Sequence, residues 1–154
     1  MYSKEETTKT KAAFWTMFGQ YMKPVPSSWK EKVNWLNYKT GIKDIYFKMD
    51  ADTKKAIVGI ELRHADDGIR HLVFEHFTQL KKLLEAATGE TWQWQQDKEN
   101  EQGVMVSFIG VEIEGVNIMQ KQNWSKIISF LKPRIIALDA FWGDTKDGVE
   151  MMMF

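Results

Sequence analysis

The sequence predicts an α+β fold: one mainly antiparallel sheet packed by helices, in the order α-β-β-β-α-β-β-α. Three observations lead there. Apolar residues recur at helical spacing near both ends, residues 33–63 switch to a two-residue period, and no alternating βαβ pattern calls for a parallel sheet.

The first helix covers residues 3–22. Ser3 followed by Glu6 is a capping-box start, and Phe14, Met17, Phe18 and Tyr21 make the apolar stripe. Pro24 and Pro26 end it, because proline lacks an amide and restrains its predecessor. Residues 33–38 read as a strand, with Lys39-Thr40-Gly41 as its turn. In the next strand Ile45, Phe47 and Met49 share one face and Asp44, Tyr46 and Lys48 the other. Asp50-Ala51-Asp52-Thr53 forms the following turn. Ala56, Val58, Ile60 and Leu62 then alternate with Ile57, Gly59, Glu61 and Arg63, completing a three-stranded meander.

Asp66-Asp67 caps a helix carrying Ile69, Leu72, Val73, Leu80, Leu83 and Leu84, which Gly89 stops. Trp92 and Trp94 mark a fourth strand, 97–103 a polar turn, and 104–113 a fifth strand with Gly110 as a bulge. Asn123 caps a helix over 124–131, which Pro133 breaks or kinks before Ile135, Leu138 and Trp142 resume the period. Ile45, Phe47, Val58, Ile60, Leu72, Leu80, Ile128 and Ile135 are the expected core. The apolar end, Met151-Met152-Met153-Phe154, is expected to order only against a neighbour, and residues 149–154 make a natural homodimer contact.

Composition narrows the function classes. A chain of 154 residues with 44% apolar residues can bury a core, and neither a repeat nor a linker divides it, so one domain over 1–154 is expected. Lys+Arg and Asp+Glu are equal at 21 each, which argues against a dedicated duplex-DNA binder while allowing a local basic patch. With no cysteine, disulfides, thiolate metal sites and thiol catalysis are excluded. The polar start and the lack of a long apolar run point to a cytoplasmic protein without membrane contact. Dinucleotide, P-loop and serine-elbow motifs are all missing.

Phe14-Trp15 with Phe18-Gly19-Gln20-Tyr21-Met22, the run Asn34-Trp35-Leu36-Asn37-Tyr38-Lys39-Thr40-Gly41, and Ile127 to Arg134 together resemble a small bacterial family, DUF4268, a domain of unknown function. Similar domains accompany predicted endonuclease domains in longer bacterial proteins, so the resemblance implies nucleic-acid or defence processes. The element order is also similar to the PD-(D/E)xK nuclease core, in which an Asp on the second strand and an acidic-x-Lys on the third gather a metal. That resemblance implies catalytic and metal-binding roles for Asp44 and Glu61, with Arg63 in the lysine's place and Mg²⁺ as the cation. Lys43 stands where the motif has proline, and arginine does not give up a proton as lysine does. The same three residues equally fit a solvated strand face with a cross-strand ion pair, and that reading is preferred.

Between Lys30 and Lys55 there are seven lysines against four acidic residues. Lys39, Lys43 and Lys48, with Trp35 as a stacking surface, are therefore the candidate nucleic-acid contacts. Seven tryptophans are many, and burial accounts for most of them. The three histidines have no zinc spacing, although His71 and Glu75 form an i,i+4 pair. A non-catalytic interaction module linked to nucleic-acid processes ranks first, with no cofactor. A degenerate Mg-dependent nuclease and a structural protein-protein module follow.

Overall fold

The computed structural model describes residues 2–29 and 32–153. Helix α1 (Lys4–Met22) starts where the Ser3 side chain accepts the Glu6 amide at 3.0 Å, and it buries Phe14, Phe18 and Met22, one turn apart.

The expected strand over 33–38 does not form. The Asn34 side-chain oxygen accepts the amides of Leu36 and Asn37, both at 3.2 Å, and winds Trp35–Asn37 into a single 3-10 turn. A short polar side chain has thus offered the backbone an alternative to a sheet ladder. The sheet therefore has four strands: β1 (Ile45–Ala51), β2 (Lys55–Leu62), β3 (Gln93–Glu99) and β4 (Met105–Glu114). All neighbours are antiparallel in the order β1-β2-β4-β3. The β1–β2 turn is held by Asp52, whose carboxylate accepts the amides of Lys54 and Lys55. The register pairs Ile45 with Leu62, Phe47 with Ile60 and Met49 with Val58, so the expected core face is real.

Gly110 is not a bulge. It lies directly opposite Gly59, and the Phe108 ring lies across the pair: a Cβ on Gly110 would come within 2.4 Å of that ring. The irregularity sits in β3, between Gln95 and Lys98.

The helix expected from residue 66 to Gly89 is two helices, α2 (Asp67–Thr78) and α3 (Lys81–Thr88). The amides of Gln79 and Leu80 reach back only three residues, to His76 and Phe77, and that tightened turn ends α2. The inward face of α2 is Arg70, Val73, Phe74 and Phe77, and Leu72 is 65% exposed, contrary to its place in the expected core. Ile45, Val58, Ile60 and Ile135 are buried as expected, while Phe47, Leu80 and Ile128 are half-buried against the core.

Helix α4 (Trp124–Met153) runs 30 residues without the expected separation at Pro133. Pro133 faces solvent, and the carbonyl deprived of its amide belongs to Ser129, also exposed, where water can replace the bond. Asn123 does not cap this helix; its side-chain oxygen accepts the Asn117 amide at 3.0 Å. The chain end also departs from expectation. It continues α4 and docks on its own core through buried Val149 and half-buried Met153, with Met151 and Met152 exposed, while Phe154 lies outside the described residues. Among the described residues, no helix is long and apolar enough to cross a membrane.

Candidate functional site

Glu61 lies one residue before the end of β2, opposite Tyr46, on the sheet face turned away from the core. It is 1% exposed. One carboxylate oxygen is bonded by the Arg63 guanidinium, and the Lys48 ammonium stands 3.3 Å from the other. Arg63 in turn lies over the Tyr46 ring, 3.9 Å from its centroid. Lys48 also bonds Glu101 of the β3–β4 turn at 2.6 Å. Burial alone would lower the Lys48 pKa, but Glu101 and Glu61 outweigh it and raise it.

Asp44 is not on a strand. It precedes β1 with a φ of +67°, and its carbonyl accepts the Arg63 amide at 2.9 Å. Its side chain borders a small crevice with Lys43, His64 and Arg70, while Glu61 borders a different concavity. The structure brings Glu61 to Arg63 and Lys48, and leaves Asp44 apart. Among the described residues, no group of three or more His, Asp or Glu is placed to hold a metal ion.

Glu61 borders a cleft of about 340 Å³ on the outer sheet face, floored by Ile57, Val106 and Phe108. Of its four lysines, Lys48 is paired as above and Lys55 with Glu112 at 3.0 Å, while Lys98 lies over the Phe108 ring and Lys11 forms no ion pair among the described residues. Asp50, also on this cleft, has its carboxyl pushed up by burial, against the opposing Ala51 amide and Lys11. His71 does not pair with Glu75. It bonds Asp97 at 2.8 Å, beside Arg70, which is fully buried and held by Asp67 and Asp97 at 2.7 Å each.

A larger cleft, about 610 Å³, opens between residues 27–29 and 32–40 on one side and α4 on the other. Several long-range bonds build it. The Trp142 indole donates to the Thr40 carbonyl at 2.8 Å, and the Thr40 hydroxyl ties to Ile45. Asp139, 1% exposed, accepts the Tyr38 hydroxyl on one oxygen and the Ser28 amide on the other, at 2.5 and 2.6 Å. Trp29 stands on the wall, 60% exposed. Lys32, Lys39 and Lys146 line the same cleft with Asp139 and Asp147, and none of the three lysines forms an ion pair among the described residues.

The four nucleic-acid candidates read from the sequence do not converge. Lys39 is on this cleft, Lys43 is at the small crevice, and Lys48 is committed to Glu61 and Glu101. Trp35 is buried, its indole donating to the Val25 carbonyl at 2.9 Å. Trp92 is buried against Glu90, and Trp94 packs on Phe74. The exposed tryptophan is Trp29, and its sequence signal is weak: a loop position after Pro26-Ser27-Ser28.

No curated protein and no solved structure shows significant similarity to the chain. Residues 10–146 match the family model for DUF4268, a domain of unknown function, and the chain belongs to that family.

Proposed function

We propose that this chain is a non-catalytic interaction domain that engages nucleic acid through the cleft between residues 32–40 and α4. The observation that carries the reading is the set of Lys32, Lys39 and Lys146. They share one concavity without internal ion pairs, whereas in the sheet-face cleft two of the four lysines, Lys48 and Lys55, are matched by Glu61, Glu101 and Glu112. Cations left unmatched around a polar cleft suit phosphates, which release counterions on binding. A nuclease centred on Asp44 and Glu61 has less support, since both Glu61 oxygens already face cations.

The test is fluorescence polarisation of a labelled oligonucleotide across a salt series. Three phosphate contacts predict a log–log salt slope of about −2 for a single strand. K39E and K146E should each weaken binding and flatten the slope. Salt-independent binding, or none at low salt, would remove this function.

A further inference from the structure

Resting on that reading, we infer that the ligand is single-stranded and that an unpaired nucleobase stacks on the outward face of Trp29, with Gly143 and Asp139 as positioning residues. Trp29 is mostly exposed, yet its ring is seated. A Cβ on Gly143 would lie 1.8 Å from the indole Nε1, 2.5 Å from Cε2 and 2.7 Å from Cζ2. Only glycine at 143 admits the ring there. Gly143 lies inside α4, where glycine disfavours a helix relative to alanine, so α4 accommodates a poor helix former at the point where the ring is seated.

The backbone beneath the ring is fixed as well. Asp139 holds the Ser28 amide at 2.6 Å, and the Ser27 hydroxyl oxygen accepts the Trp29 amide at 3.2 Å. The Nε1 side of the indole is therefore seated against α4 and its attachment is tied down before any ligand arrives, so less ordering opposes binding. The rest of the ring is open to water beside a cleft lined by Lys39 and Lys146. A flat π-surface with cations at its margin fits a base and its phosphates. Bases inside a duplex are stacked on their neighbours and present no free face, which selects single strands. Every base has such a face, so sequence preference should be slight.

The experiment compares a single-stranded 12-mer, its duplex and inorganic polyphosphate, read by polarisation and by tryptophan fluorescence. Wild type should bind the single strand more tightly than the duplex, with quenching. W29A and G143A should each weaken single-strand binding by about tenfold or more, leave polyphosphate binding unchanged, and so collapse the single-strand preference. W29F should keep part of that preference. G143A should keep its helical circular dichroism and melting temperature, because alanine is the better helix former. Single-strand binding that needs Lys39 but is the same in W29A and G143A as in wild type would overturn the stacking inference and leave the nucleic-acid reading standing. Absence of binding to all three ligands would remove both.

Discussion

Tyr38 and Asp139 are joined by a 2.5 Å hydrogen bond across 101 residues of chain, and that bond ties residues 32–40 to α4. Asp139 is buried and also accepts the Ser28 amide, so both of its oxygens are matched. Tyr38→Phe removes one donor and should cost about 1.5–3 kcal/mol, the worth of a hydrogen bond to a charged group. Asp139→Ala strands two donors and should cost more. Urea unfolding checks both, and a loss under 0.5 kcal/mol in Asp139→Ala would show the closure to be unimportant.

The Gly59–Gly110 pair leaves room for the Phe108 ring. Gly110→Ala places a methyl within 2.4 Å of the ring and 2.7 Å of the Val58 carbonyl, so overpacking should cost about 1–3 kcal/mol. Adding Phe108→Ala should recover only the part due to the ring, because the carbonyl contact remains. Full recovery in the double variant would mean the backbone contact is harmless.

Acid should destabilise the fold. Burial pushes the Glu90 carboxyl up, but Arg134 and the Trp92 indole outweigh it and hold it below the usual range. Asp97 is held low by His71 and Arg70. For Glu101, burial raises the carboxyl, and Lys48, a backbone hydrogen bond and Lys98 together outweigh it and lower it. Depressed carboxylates contribute stability that is present above their unfolded pKa and lost as pH falls through the folded one. Asp50, raised by burial, works in the opposite sense and softens the loss. Stability should therefore fall from about pH 5 downward, and Arg134→Met should shrink the fall. An identical acid profile in that variant would assign the loss elsewhere.

The chain end should behave as core on one side only. Val149 is buried, and Val149→Ala should cost about 1–2 kcal/mol from its lost methyl groups. Met151 is 80% exposed, and Met151→Ala should change stability by less than about 0.5 kcal/mol. Equal effects at the two positions would contradict the docked helix.

Magnesium titration by calorimetry should show no resolvable heat at millimolar concentration, with no cleavage of plasmid or single-stranded DNA. The basis is Glu61, whose oxygens are met by Arg63 and Lys48. Glu61→Ala should cost about 1–3 kcal/mol, less than breaking a fully buried pair, because Lys48 keeps Glu101 and Arg63 is partly exposed to water. Metal-dependent cleavage, abolished by Glu61→Gln in a folded protein, would restore the nuclease.

What was legible in the sequence was local. Alternation over Ile45–Leu62 set the sheet face correctly because a period of two admits no intermediate phase. Ser3 and Gly89, the latter at φ +73°, mark real helix ends. Phase within α2 was misread because the tight turn at Gln79-Leu80 breaks the continuity that made Leu72 look inward. Asn34 was read as part of a strand because the period of its neighbours hides its capping oxygen. The cleft was out of reach for another reason. Tyr38 with Asp139, and Trp29 with Gly143, are pairs formed only by tertiary structure, and no short spacing announces them. Trp35 and Trp29 flank the same lysine-rich start, and only the indole bond to Val25 decides which one is buried.

The reach of α4 also fixes when the cleft can come into being during synthesis. Ser28, Tyr38 and Thr40 are made early, whereas their partners Asp139 and Trp142 follow 101 to 111 residues later. A chain still emerging from the ribosome can pair β1, β2, β3 and β4, and stack Tyr38 on Phe47, while residues 27–29 and 32–40 still lack the α4 partners that close the cleft. The lysines and Trp29 are thus assembled into one surface only when the second half of the last helix arrives. A nascent chain stalled inside α4 carries the sheet without the closed cleft.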